Sequence, residues 1–161
     1  FKQKTAYEIR LSLVGSEMCI RDRLLGSTQD EITVALGAPD RNTEDSHEDG
    51  ELSSIWTYRM LRLELSFDSD NDFRLSHITS YHPYTLVRGF NPMGLSGKLL
   101  LMKYPHLDLE VEISKDEKYY TDRVLDLTFG IARAKVVSVT VFPEYDESGK
   151  VVKWPQAKNK G

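Results

Sequence analysis

The chain has 161 residues, a formal net charge of −4, 40% hydrophobic residues and a single cysteine. One cysteine excludes a disulfide-stapled scaffold, and the longest apolar runs, such as residues 98–102 with three leucines, are far too short for a membrane-spanning helix. Net acidity argues against a nucleic-acid or anionic-membrane binder, since both depend on basic surface.

Residues 1–23, FKQKTAYEIRLSLVGSEMCIRDR, resemble translated sequencing-library adaptor. Residues 2–8 read back into a flow-cell primer and residues 13–22 into a transposase adaptor in the same frame, with residues 10–12 where a variable index would lie. That double match is favoured over a genuine amphipathic N-terminal helix, and the segment is set outside the fold. With five basic and three acidic residues removed from 21 and 25, 16 remain against 22, a net of −6 over 138 residues. Cys19 goes as well, leaving no thiol nucleophile and no thiolate metal site. The natural start is expected to be missing, with any signal or lipidation site it carried. The compartment, cytoplasmic or periplasmic, stays open. The remaining 138 residues suit one globular domain.

In chain order, Thr28-Gln29-Asp30-Glu31 fits a capping box. Ile32, Ala35 and Leu36 follow on one helical face, and Gly37 and Pro39 stop the helix. Residues 40–54, DRNTEDSHEDGELSS, carry six acids and little that is apolar, which predicts a mobile acidic loop. It either is simply solvated or steers a basic partner. Strands are predicted at 55–58, at 61–67 with its alternating leucines, and around 75–81, with 68–72 as a hairpin turn. The DxDxD spacing of that turn lacks the glycine and the terminal glutamate of a calcium loop. A linker at 82–92 is punctuated by Gly89 and two prolines.

The pattern then restarts, with a short helix at 98–103, an alternating strand at 107–113, a charged turn at 115–118, and strands around 120, 127–129 and 136–139. Matched positions lie 68 residues apart at Gly26/Gly94, 66 at Pro39/Pro105, 62 at Tyr58/Tyr120 and Phe67/Phe129, and 61 at Ile78/Val139. Such shrinking offsets suit a duplicated unit with loop insertions. Residues 144–149 form a final turn, 151–154 a further strand, and 156–161 a frayed tail. The expected fold is α+β: two tandem α-β-β-β units, residues 24–88 and 89–155, in one two-layer domain with helices on one face of an antiparallel sheet of up to six or seven strands.

The succession Gly26-Ser27-Thr28, Leu36-Gly37-Ala38-Pro39, Trp56-Thr57-Tyr58, Leu65-Ser66-Phe67 and Ile78 resembles the small domain of the SmpA/OmlA (BamE) family. Two such units in tandem resemble the β-lactamase-inhibitor-protein architecture. The resemblance implies protein binding, either in outer-membrane assembly or by inhibition of a partner through an exposed sheet face. It fixes no function by itself.

Catalytic signals are absent from the pattern. His47, His77, His82 and His106 have no metal-ligand spacing and are expected at the surface or in turns. Gly94-Leu95-Ser96-Gly97-Lys98 matches neither a nucleophile elbow nor a phosphate loop. Asp108, Glu110 and Glu112 read as a solvent face. No cofactor or metal is expected. Trp56, Tyr58 and Tyr120 suit either core or surface, whereas tyrosines on an outer sheet face would anchor a partner. The expected partner-binding residues are Tyr81, Tyr84, Tyr104 and Tyr119 with Glu44, Asp45, Glu48 and Asp49 of the acidic loop. The leading expectation is a non-catalytic protein-binding module, of inhibitor or immunity type, with another protein as partner. An envelope-assembly role is the alternative. A hydrolase or metal-dependent enzyme is the third, and it requires His77, His106 and carboxylates to converge.

Overall fold

The computed structural model describes residues 13–14 and 19–155. Among these residues three short α-helices, α1 (Ile20–Leu24), α2 (Gln29–Leu36) and α3 (Gly97–Lys103), accompany ten strands. The first four strands are β1 (Arg41–Ser46), β2 (Leu52–Tyr58), β3 (Leu63–Asp68) and β4 (Arg74–Ser80). After α3 come β5 (Leu107–Ser114), β6 (Glu117–Asp122), β7 (Leu127–Ala132) and β8 (Lys135–Val141). These eight form one antiparallel sheet in the order β1-β2-β3-β4-β8-β7-β6-β5. β9 (Glu144–Tyr145) and β10 (Val152–Lys153) pair as a separate hairpin. The α+β expectation of an antiparallel sheet with helices is met. The strand count is not, because each half of the sheet holds four strands where three were expected.

The extra strand of the first half is the acidic segment. β1 pairs with β2 over six residues, from Arg41↔Thr57 to Ser46↔Leu52, and the chain reverses tightly at 47–50. Every β1 residue is exposed. Composition therefore pointed to a loop, but the free backbone edge of β2 supplied a ladder that needs no apolar side chains. Charged residues suit such an edge because they discourage further strand addition.

Local chemistry defines the helices. Thr28 caps α2 through a full capping box, its Oγ1 accepting from Glu31 N at 3.2 Å while its own N–H donates to Glu31 Oε1 at 2.9 Å. The Tyr58 hydroxyl donates to Gly37 O at 2.8 Å, fastening the helix stop to β2. Ser96 Oγ caps α3 by accepting from Leu99 N. α2 and α3 each commit one fully buried residue, Ile32 and Leu100, to the same core as the inward residues of the strands. That core contains Leu65 and Phe67 of the first half and Phe129 and Val139 of the second. Trp56 packs on Phe67 with ring centroids 4.8 Å apart, and Tyr104 on Phe129 at 4.9 Å.

The two halves repeat several backbone details. In β3·β4 the register shifts after Ser66 and leaves Ser76 unmatched; in β7·β8 it shifts after Gly130 and leaves Val137 unmatched. Gly26 N donates to Leu75 O while Leu75 N donates to Ser27 O. Gly94 N likewise donates to Val136 O while Val136 N donates to Leu95 O. By pairing register Trp56 stands opposite Leu65 as Tyr120 stands opposite Phe129. When the halves are aligned on their register shifts, Tyr58 falls two residues from the place of Tyr120, and Phe67 two from that of Phe129. The halves meet at β4 and β8 through Ile78↔Val141, Thr79↔Thr140 and Ser80↔Val139.

Of the adaptor-like segment, residues 1–12 and 15–18 lie outside the described residues, as does the tail expected to fray at 156–161. Leu13, Val14, Cys19 and Ile20 are buried, and Leu13 N donates to Leu86 O at 2.8 Å. Apolar side chains next to an open apolar surface bury themselves whatever their origin. The 82–92 linker also packs inward, with Val87 in the core and Thr85 Oγ1 2.7 Å from Ser80 Oγ. His82, expected at the surface or in a turn, is a buried turn residue.

On the sheet face away from the helices, Gly130 lies beneath its neighbours. A Cβ placed there would fall inside contact distance of Ser138 Oγ and 3.1 Å from Tyr119 Cε1. Gly130→Ala is expected to destabilise the fold by about 1–3 kcal/mol through overpacking, with Ser138→Ala in the same chain restoring part of the loss. Denaturant midpoints of the single and double variants check this.

Candidate functional site

Strand alternation places Asp45 of β1, Ser53 of β2, Ser66 and Asp68 of β3, and His77 of β4 on the outer face of the sheet. Pairing aligns them in rows: Asp45 lies opposite Ser53, Ser53 opposite Asp68, and Ser66 opposite His77. The tight turn after β1 brings His47 and Asp49 over the end of these rows. The result is an open cleft of about 320 Å³, lined on its acidic side by Asp45, Asp49, Glu51, Asp68 and Asp70. His47 and His77 line it as well.

Asp68 is the hub. Its Oδ1 accepts from Ser53 Oγ and from Ser66 Oγ, both at 2.8 Å, and its Oδ2 lies 3.2 Å from His77 Nδ1. Burial disfavours its charged form, but the bonds from His77, Ser53 and Ser66 outweigh that and hold its carboxyl down to about 2. Ser53 gives its hydrogen to Asp68, so its lone pairs receive His47 Nε2–H across 2.9 Å. Ser53 is accordingly not poised as a nucleophile, because its proton points to a carboxylate and His47 already acts as a donor. At the rim, Ser69 Oγ donates to Glu51 Oε2 at 2.6 Å and accepts from Leu52 N at 2.9 Å. Glu51 N donates to Asp49 Oδ1 at 2.9 Å.

The residues expected from sequence are divided by the fold. Asp45 and Asp49 line the cleft, whereas Glu48 is exposed beside it. Glu44 alternates to the helix side, where it lines a different groove with Asn42 and Ser54. Tyr81 extends the outer face beyond β4 and is 46% exposed. Burial, with the charge of Glu64, pushes its hydroxyl up. Tyr119 donates to Glu117 Oε1 at 2.8 Å, and that bond first, then burial and the charges of Glu117 and Tyr81, pushes it up to about 12. Tyr84 is exposed in the 81–93 connection, apart from the cleft. Tyr104 is corrected: it is only 9% exposed, because its ring packs on Phe129 in the core. Trp56 and Tyr58 are core residues, and Tyr120 packs against the core.

His47, Ser53, Asp68 and His77 were not expected to meet, and no sequence spacing would have shown it, since only the strand register joins them. His106 lines a separate groove, so the convergence of His77 with His106 that a hydrolase requires does not occur. Among the described residues, no three His, Cys, Asp or Glu side chains gather as a metal-holding group. No described helix is long and apolar enough to cross a membrane. Tyr145 of β9 lies within reach of two of the cleft's acids: burial pushes its hydroxyl up, Asn71 opposes this by hydrogen bonding, and the charges of Asp70 and Asp68 add to the rise.

No family model and no curated protein matches the chain. Among solved structures it is similar to an extracellular protein containing a SCP domain from Bacillus anthracis str. Ames, at 14% identity and a TM-score of 0.44, covering 74% of this chain and 44% of that one. It is also similar to a DUF4309 family protein (YjgB) from Bacillus subtilis subsp. subtilis str. 168, at 16% identity and a TM-score of 0.46, covering 86% of this chain and 90% of that one. The chain thus spans less than half the length of the first of these.

The Asp68 carboxyl, lowered on folding, contributes stability that is fully present above its ordinary value of 3.8 and is lost as pH falls through about 2. Its share, discounted for partial exposure, is about 1–2 kcal/mol. Asp68→Asn is expected to lack that component, so its stability should fall less than the parent's between about pH 4 and pH 2. Parallel profiles in denaturant melts across this range would remove Asp68 as the hub.

Proposed function

We propose that this protein is a non-catalytic protein-binding module, of inhibitor or immunity type, that receives a basic side chain or basic segment of a protein partner in its outer-face cleft. The observation that carries this is Asp68: a carboxylate held ionised by three side chains at the base of a concave, acid-lined site on a face that no described α-helix covers. A charge already oriented by its neighbours needs little rearrangement to meet a guanidinium or ammonium. The further carboxylates around it favour the approach of a cation and repel an anion. Tyr81 and Tyr145 lie on the same side and offer large contact area with a polar tip.

We also infer that the chain is two copies of one helix-plus-four-strand unit. The shared bulges and the matched bonds of Gly26 with Leu75 and Gly94 with Val136 support it. On that equivalence Ser53, Ser66, Asp68 and His77 correspond to Glu117, Gly130, Ala132 and Ser138. The second half keeps its ladder without any such network, so the fold does not require the cleft chemistry. That favours a role in recognition over one in packing.

An arginine-rich peptide titrated into the isotopically labelled full chain tests the reading. Amide shifts should gather at 45–53, 66–70 and 77 and weaken with added salt. Asp45→Asn with Asp68→Asn should lower affinity about tenfold, while Glu147→Gln, an exposed acid elsewhere, should not. Shifts spread evenly over all acidic surface, or affinity indifferent to the double substitution, would refute the cleft as the contact.

A further inference from the structure

A second concavity, of about 510 Å³, lies between the 87–90 turn, the C-terminal end of α3 and the turn joining β6 to β7. That volume is in the range of small-molecule sites. Its floor is apolar, formed by Val87, Phe90, Pro105 and Leu125, with Val124 at the edge. Around it stand Arg88, Lys103 and His106, all exposed. Three basic side chains at one groove are the reverse of the protein's acidic balance. Lys103 is held in place, its Nζ 4.5 Å above the centre of the Phe90 ring.

Tyr104 adds a neutral donor to the wall of the groove. The residue is more than nine-tenths buried, lines this groove, and among the described residues its hydroxyl has no hydrogen-bond partner. The hydroxyl is not sealed from solvent, so an acceptor on a ligand in the groove can replace the water it meets. The only acid of the groove, Asp122, is already engaged, its Oδ1 accepting from Val124 N at 2.9 Å and Leu125 N at 3.0 Å. The groove therefore presents donors and cations above an apolar floor, with its one carboxylate tied into a turn.

We propose that this groove binds a single-chain amphipathic carboxylate, its apolar tail along Phe90, Pro105 and Leu125 and its head accepting from Arg88, Lys103 and the Tyr104 hydroxyl. The proposal is independent of the acidic cleft, which uses none of these residues. Because the protein as a whole is acidic, long-range attraction would not draw in such an anion, and binding has to come from these local groups. The apolar floor supplies affinity and the head contacts supply the selection of charge.

The test is titration of the labelled full chain with decanoate, decanol and acetate, each kept below the concentration at which it aggregates. Decanoate is expected to shift amides at 87–90, 103–106 and 122–125, saturably, and to bind about tenfold more tightly than decanol, with acetate showing no saturation. Arg88→Gln with Lys103→Gln should abolish the preference, so that decanoate and decanol bind alike. Tyr104→Phe keeps the ring on Phe129 and should leave the melting temperature within a few degrees while weakening decanoate a few-fold. The proposal is overturned by decanol binding the unaltered chain as tightly as decanoate, by shifts centred elsewhere, by an absence of saturable decanoate binding, or by variants that leave the preference unchanged.

Discussion

The β4·β8 seam is where the whole sheet is made continuous, and it rests on only three residue pairs. Ile78, Val139 and Val141 are buried on its inner side, while the Thr79 and Thr140 hydroxyls meet at 2.8 Å on its outer side. Without this seam, β4 and β8 would each be a bare edge bearing a full apolar face, an invitation to uncontrolled pairing. With it, apolar residues from both halves of the sheet and from the described helices join one core, and the outward residues form one continuous surface.

The two faces of the sheet solve different problems. Inward positions are mostly apolar or aromatic, with Trp56 and Tyr58 beside the aliphatic residues. Outward positions are dominated by serine and threonine, and Thr121 and Thr128 repeat the hydroxyl pairing of Thr79 and Thr140 at 2.9 Å. Threonine keeps the β-branch that suits a strand while presenting a polar surface. Against this even background the Asp68 network is a local departure confined to one half. The sheet's backbone treats the halves alike, and its side chains do not.

Legibility in the sequence followed the range of the interaction concerned. α2 could be read because its capping box, apolar face and glycine stop lie within about three turns of chain. β3 could be read because Leu63, Leu65 and Phe67 alternate without interruption. β1 could not, because Asn42, Thr43, Glu44 and Asp45 become a strand only through the edge of β2. The cleft was hidden for the same reason, since Ser53 reaches Asp68 across 15 positions and the neighbouring row depends on the register shift after Ser66. A repeat matched by residue type alone slides by two positions at no cost to the apolar pattern, because two residues is the period of a strand.

The burial of Trp56 has an optical consequence. Among the described residues its indole Nε1 has no hydrogen-bond partner, and its ring is packed against Phe67. The chain's other tryptophan, Trp154, lies beside the β9–β10 hairpin, lining a polar cavity with Arg21, Asp22 and Lys153. Intrinsic fluorescence is thus the sum of two distinct emitters, a short-wavelength band from a ring shielded from water and quencher, and a longer-wavelength band from one in polar surroundings. Loosening of the C-terminal hairpin alters the second band alone, and loss of the sheet's core alters the first, so the protein carries a built-in means of telling local opening from global unfolding.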